Sequence, residues 1–282
     1  GDDKSLEALF RSRSNIETGK PDLCAFIVEA IHGTRLIFPP KGYLKRVREL
    51  CDIYDVLLII DEIYTGFGRT GHWFAFESEE IVPDIVCYSK TFGGGKATIA
   101  GYTARKDVFL KAYGKAHDSM IHTSTFSGMT EECATAIEAL NIIKDDHLVE
   151  RARELGVYLE EQLIGLKKRY PNGIADVRGC GLLWGVELRP PLSQLNQMIG
   201  KILPNHSLPL PELIGAIVLS EMFHEHNVLA YLGFTRRNLV VFSPALIAGK
   251  SDLDHAINAL DVVLSKGWMS LVHSFLARQV HL

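Results

Sequence analysis

The sequence is short of several things, and each shortage removes a class of function. No apolar run approaches the ~18 consecutive residues that a membrane-crossing helix needs, which argues against a membrane protein. Cysteine is sparse, with Cys24, Cys51, Cys87, Cys133 and Cys180 the only five in 282 residues. Their number is odd, their spacing is scattered and no Cys-x-x-Cys pair occurs, so neither a disulfide framework nor a zinc ribbon is indicated. Buried free thiols in a reducing, cytoplasmic compartment are the simplest reading. Basic charge is not in excess: 30 Lys and Arg stand against 34 Asp and Glu, for a net charge of −4. No basic stripe offers itself to nucleic acid. Glycine clusters occur, but without the GxGxxG or GxxxxGK[ST] spacing of nucleotide loops. His224 and His226 stand two apart on an expected helix, face different ways and do not form a zinc pair, so no metal is expected. There is no internal repeat, no low-complexity tract and no signal peptide. The first residue, Gly1, is not methionine, and a longer protein is expected.

What is present is ordinary globular composition, 47% hydrophobic and 23% charged, in a chain long enough for two domains. The first twenty residues are polar and read as a loop or a mobile edge. Short apolar segments then alternate with helical spacing. Residues 25–29, 56–61, 84–89 and 99–105 read as strands, and 42–53 as a helix with Leu44, Val47, Leu50 and Cys51 on one face. Strands apolar on both faces and separated by helices indicate a mostly parallel α/β sheet. Helices follow near 130–144 and 147–170. Beyond Pro171-Asn172-Gly173 the order becomes strand, helix, strand, strand, helix, which suggests a small α+β domain. The expected division is therefore 1–170 for part of a large domain with a linker helix, and 171–282 for a small C-terminal domain. Residues 190–211 hold five prolines in 22 positions and read as a loop.

Two stretches carry chemistry. In VLLIIDEIYTGFGRTG, residues 56–71, a buried strand delivers Asp61 at its C-terminal end, where open α/β sheets bind ligands. An isolated Asp-Glu pair most often only ends a strand; the glycine-rich loop behind it weakens that account. In PDIVCYSKTFGGG, residues 83–95, a strand ends at Ser89-Lys90 before three glycines. A lysine at the mouth of a buried strand can be partly desolvated, which lowers its pKa and frees the amine for Schiff-base chemistry. Alone, such a lysine is more often a surface residue.

Together the two motifs, in this wording and spacing, closely resemble the signature of the class III (ω) aminotransferases, a branch of the fold-type I pyridoxal-phosphate (PLP) enzymes. The resemblance runs from about residue 23 to 267 and includes FIVE, PPKGYLKRVRELC, HTSTFSGMTEECATAIEAL and VRGCGLLWGVEL. It implies an α/β fold of that type, with a mostly parallel large-domain sheet and a small α+β domain. It implies PLP held as a Schiff base on Lys90, with Asp61 pairing the pyridine nitrogen and Ile63 packing on the ring. Ile63 is expected to lie along the strand on the same side as Asp61. Tyr64 stands where many relatives have a glutamine that reaches the cofactor's phenolic oxygen. Thr125 matches a threonine that reaches the phosphate of the neighbouring subunit's cofactor, which makes the site a property of a homodimer. The implied partners are a small-molecule amino donor and a carbonyl acceptor.

The resemblance breaks in two places. Val241 occupies the position of an arginine that clamps the substrate α-carboxylate in many relatives. Glu29, which matches that arginine's partner, would lack it; Arg236 and Arg237 lie nearby in sequence but would point from a different place, and Arg35 is another candidate. The inference is a substrate without an α-carboxylate there, such as an aldehyde, ketone or simple amine, as in aminations of pyrrole- or prodigiosin-type biosynthesis. The second break is the absence of the stretch that precedes this region in relatives, with its phosphate-binding loop. The same lysine serves decarboxylases, racemases and aminomutases, so those reactions stay open, as does a non-catalytic scaffold.

Overall fold

The computed structural model describes residues 3–12, 22–202, 210–234 and 238–280. Arg236 and Arg237 lie outside the described residues. The chain forms two compact units, one of residues 1–33 and 37–150, the other of 34–36 and 151–282.

The first unit is built on a four-stranded sheet. Helix α1 (Asp3–Ser12) leads to β1 (Ala25–Glu29), then α2 (Tyr43–Tyr54), β2 (Leu57–Asp61), β3 (Ile85–Tyr88) and β4 (Gly101–Ala104). The sheet order is β1-β2-β3-β4; the first three strands are parallel and β4 is antiparallel to β3. Helices α3 (Lys106–Tyr113) and α4 (Thr130–Asp145) follow, and α5 (Leu148–Arg169) begins here and continues into the second unit. Leu44, Val47, Leu50 and Cys51 form the buried face of α2, as their spacing predicts.

Two expectations are corrected in this unit. The polar N-terminus is helical, because Leu6 and Phe10 lie one turn apart and share a buried face. Phe10 rests against Phe26 of β1 and Tyr54 of α2, with ring centroids 5.8 and 5.6 Å away. Its polar residues are the outer face, where Glu7 pairs with Arg11 and with Arg46 of α2. The sheet is also not equally buried on its two sides. Leu58, Ile60 and Val86 are buried, whereas Leu57, Ile59 and Ile85 on the other face are only partly so. Among the thiols, Cys51 alone is buried; Cys24 is exposed and the other three are intermediate. Burial pushes the Cys51 thiol up to about 11.

The second unit carries an antiparallel sheet in the order β5-β6-β8-β7. Its strands are β5 (Ile174–Cys180), β6 (Leu183–Leu188), β7 (Tyr231–Leu232) and β8 (Leu239–Phe242). The run VRGCGLLWGVEL is the β5–β6 hairpin. Its turn residue Gly181 has a left-handed φ of 51° and meets Gly156 of α5 so closely that a Cβ on Gly156 would lie 2.6 Å from the Gly181 Cα. The helices are α6 (Leu192–Ile202), α7 (Leu210–His226), α8 (Lys250–Ser265) and α9 (Trp268–Val280). Helix α6 falls where proline content suggested a loop. Its prolines Pro190 and Pro191 stand before the first turn, where a missing N–H costs nothing, and Leu195 and Ile199 are buried one turn apart. On α7 the buried carboxylate of Glu221 takes Lys266 at 2.7 Å and Arg278 of α9 at 2.6 Å.

Candidate active site

The parallel pairing places Glu29, Asp61 and Cys87 side by side, one on each of β1, β2 and β3. Glu29 and Asp61 are the last residues of their strands, so both carboxylates stand at the carboxyl edge of the sheet, where such sheets bind ligands. The chain leaves β3 through Ser89 and opens a 3₁₀ turn at Lys90–Gly93. Asp61 and Lys90 therefore come from neighbouring parallel strands at one edge.

Lys90 has a φ of 48°, the left-handed region that non-glycine residues seldom enter. Such a conformation persists only where the surroundings over-determine it, and it concentrates at functional positions. Ser89 Oγ donates to the Ile99 carbonyl at 2.8 Å and anchors the turn from one side. On the other, Gly94 lies on α4, where a Cβ would meet that of Ala139 at 2.8 Å. The expected desolvation of Lys90 is not what this chain shows: the residue is exposed, because it opens the turn beyond the strand end. Its Nζ lies 4.5 Å from the centre of the Tyr64 ring, within cation–π range. Tyr64 in turn leans on Gly33, whose missing side chain makes room, since a Cβ there would be 2.8 Å from Tyr64 Cδ1.

Asp61 is partly buried, and its Oδ1 accepts the Ile63 amide at 2.9 Å. Ile63 lies in the turn after β2 rather than on the strand itself, and is 36% exposed; the hydrogen bond, not strand alternation, fixes it beside Asp61. Burial first, and then the charge of Asp61, pushes the Cys87 thiol upward. Glu29 Oε2 accepts the Gly33 amide at 2.8 Å, and His32 Nε2 lies 3.9 Å from its other oxygen. Thr125 is exposed in a turn that Ser124 and Ser127 close, the Ser127 amide donating to the Ser124 carbonyl at 3.1 Å. Arg35 belongs to the second unit, where its carbonyl accepts from Arg178 at 3.2 Å. Val241 is buried in β8 between Gly185 and Tyr231.

Sequence reasoning passed over the residues that brace these groups. Glu62 is wholly buried; its carboxylate accepts the Phe76 amide at 2.9 Å and the Thr65 hydroxyl. Burial pushes its pKa up, and those donors pull it part of the way back. Strand alternation was the available signal, since the residue after an edge-facing Asp61 turns to the interior. An aromatic cluster joins the two motif loops: Phe67 stacks on Phe92 at 5.2 Å and meets Tyr88 edge-on at 5.4 Å and Phe74 at 5.2 Å.

Comparison with known proteins agrees with this architecture. The chain matches the class-III aminotransferase family over residues 2–264 and belongs to it. Members of that family are PLP-dependent, and the fold is type I. An uncharacterized aminotransferase of Schizosaccharomyces pombe is 32% identical over 243 residues, covering 86% of this chain and 48% of the relative. An (R)-1-hydroxy-2-aminoethylphosphonate ammonia-lyase of Vibrio splendidus is 33% identical over 250 residues, covering 86% and 46%. Among solved structures, an (S)-enantioselective ω-transaminase from Thermomicrobium roseum superposes with a TM-score of 0.78 at 27% identity, covering 94% of this chain and 54% of that one. The chain thus spans about half the length of the relatives it matches.

Proposed function

We propose that this chain carries the cofactor-holding part of a PLP-dependent aminotransferase, which moves an amino group between a small-molecule donor and an aldehyde or ketone. The observation that carries the reading is the placement of Asp61 and Lys90 at the carboxyl ends of adjacent parallel strands, with Lys90 held in left-handed backbone.

The donor set fits the cofactor. Lys90 supplies a primary amine for its aldehyde, and the Asp61 carboxylate suits a protonated pyridine nitrogen. Ile63 offers an exposed apolar surface beside Asp61 for a ring face, and Tyr64 a phenol beside Lys90 for its phenolic oxygen. Thr125, exposed on its turn, is assigned to the phosphate of a neighbouring subunit's cofactor, in a homodimer. When bound, PLP supplies an electron sink for the carbon that bears the amino group. Asp61 keeps the pyridine nitrogen charged. Lys90 Nζ would hold the cofactor's aldehyde and would serve as the base that takes the proton from the substrate carbon, a role worth about 10²–10⁴ in rate.

Glu29 and Arg35 are assigned to the substrate. Val241 offers no cation for an α-carboxylate, which favours a ω-amine or aldehyde substrate, and the likeness to an ω-transaminase supports the same reading. Non-transferring chemistry is the second reading, favoured by one observation: a family relative is an ammonia-lyase.

The test is borohydride reduction of the full-length protein with PLP, followed by peptide mapping and product analysis. Cofactor fixed on Lys90, with amino transfer to an added carbonyl compound, is the expected result. Fixation with release of ammonia instead selects the lyase reading, and a cofactor fixed elsewhere or not at all overturns the assignment of Lys90.

A further inference from the structure

The loop of residues 62–76 is tied at both ends to one buried side chain. Glu62 is fully buried, and each of its carboxylate oxygens has a donor: the Thr65 hydroxyl near the start of the loop, and at 2.9 Å the Phe76 amide at its end. Its backbone is engaged as well. The Glu62 amide donates to the Cys87 carbonyl of β3 at 2.9 Å, and its carbonyl accepts the Gly66 amide at 2.9 Å. No side chain fits at Gly66, where a Cβ would lie 2.9 Å from the Glu62 carbonyl oxygen.

Between these ties the loop presents Phe67. Its backbone is also left-handed, with a φ of 61°, and its amide donates to the Trp73 carbonyl at 2.6 Å. Its ring lies nearly parallel to that of Phe92, 18° apart in plane. Phe92 sits inside the turn that Lys90 opens, and its amide donates to the Ser89 carbonyl at 3.0 Å. Two strained residues, Phe67 and Lys90, thus belong to loops that hold each other by aromatic stacking, and Glu62 closes one of those loops on itself.

We propose that Glu62 is a positioning residue of this site: its carboxylate clamps the ends of the 62–76 loop, and through Phe67 and Phe92 it fixes where Lys90 stands relative to Asp61. The proposal rests on the PLP reading for its functional consequence, but not for the clamp. The carboxylate is adjacent in sequence to Asp61 and touches neither cofactor atoms nor reacting atoms in this account. Its effect is therefore expected in cofactor geometry and retention, and to be restored by an isostere that keeps both hydrogen bonds. Glutamine can do so, with its amide oxygen accepting from Phe76 and its amide nitrogen donating to Thr65.

The experiment uses the full-length protein in four forms: wild type, Glu62→Ala, Glu62→Gln and Leu50→Ala. Leu50 lies in the buried face of α2 and makes no hydrogen bond to the loop with its side chain, and its variant supplies a general loss of stability for comparison. Amide exchange without cofactor is read first. Glu62→Ala is expected to speed exchange at Gly66, Phe76 and residues 90–94, and Leu50→Ala is not. With PLP added, Glu62→Ala, which removes both arms of the clamp, should weaken cofactor binding by about tenfold or more, and Glu62→Gln by under about threefold. The visible circular dichroism of the bound cofactor, which reports its orientation, should change in Glu62→Ala alone. Should Glu62→Ala fail to fold, Thr65→Val removes one arm of the clamp and is expected to give the same pattern at smaller amplitude. Unchanged exchange at residues 90–94, or equal effects of Glu62→Ala and Leu50→Ala on exchange and dichroism, would overturn the proposal. Wild type that fixes no PLP on Lys90 overturns the functional reading instead, and the exchange data then decide the clamp.

Discussion

Lys90 sits in a backbone conformation that disfavours its own side chain by about 1–2 kcal/mol, and the contacts of Ser89, Phe92 and Gly94 offset that cost. Strain at the one residue assigned to covalent chemistry is consistent with a geometry set for function. Lys90→Ala is expected to abolish borohydride fixation and amino transfer while leaving the melting temperature within about a degree or two, since an exposed side chain contributes little to stability. Turnover that survives in this variant would point to another anchor. Thr125→Ala separates stability from binding in the same way. The residue is exposed, so unfolding should shift by no more than about 0.5 kcal/mol, whereas loss of a phosphate hydrogen bond weakens PLP by roughly 1.5–3 kcal/mol. Unaltered PLP affinity removes Thr125 from the site. Val241→Arg tests the other departure from the family pattern. Val241 is 1% exposed in a strand buried along its whole length, so an unpaired guanidinium there is expected to cost several kcal/mol in a denaturant titration. Little loss of stability, with a gain for amino-acid donors, would show that the cation finds a partner.

At the scale of elements, one carboxylate ties the first unit together. Asp84, just before β3, is buried and takes Arg48 of α2 at 2.8 Å, Arg105 at 2.6 Å and the Leu58 amide of β2 at 2.7 Å. Burial alone would raise its pKa, but the Leu58 amide and the two guanidinium groups outweigh it and hold the carboxyl below its usual range. A depressed folded-state pKa means that this stabilisation is complete above the ordinary value near pH 4 and fades as pH falls through the lower folded value. Asp84→Asn should therefore flatten the acid side of the stability curve and destabilise at neutral pH by about 1–3 kcal/mol, because Arg48 and Arg105 lose a charged partner, although Arg48 keeps Asp52 at 2.7 Å. An acid limb identical to wild type would place the acid sensitivity elsewhere. Glu221 has the same sign: burial opposes ionisation, and Lys266 and Arg278 more than compensate. The aromatic cluster is the other bond between elements, and it was hidden in the sequence. Phe67 lies in one motif and Tyr88 and Phe92 in the other, and only folding shows that they meet.

At the scale of the whole molecule, the shared-site reading predicts a homodimer by sedimentation, and dilution into single subunits should release the cofactor. Single subunits that keep PLP with undiminished affinity would contradict a phosphate contact from Thr125 of a neighbour. Parallel sheets are ordinarily covered on both faces, and here Ile27 of β1 is 64% exposed. The sequence by itself determined the strands that lead to Asp61 and Lys90, the helix between β1 and β2, and the family, because buried strands and a long fixed motif leave few alternatives. It misread α1 and α6, where an amphipathic face of two residues and a pair of prolines before the first turn are weak signals in a polar or proline-rich setting. Only the tertiary structure decided that Glu62 is doubly bonded, that Lys90 is strained and exposed over Tyr64, and that Phe67 meets Phe92. The Phe67–Phe92 and Tyr64–Lys90 contacts join two separate motifs, and neither periodicity nor motif spacing encodes the contacts that such segments make or the donors that a buried carboxylate takes.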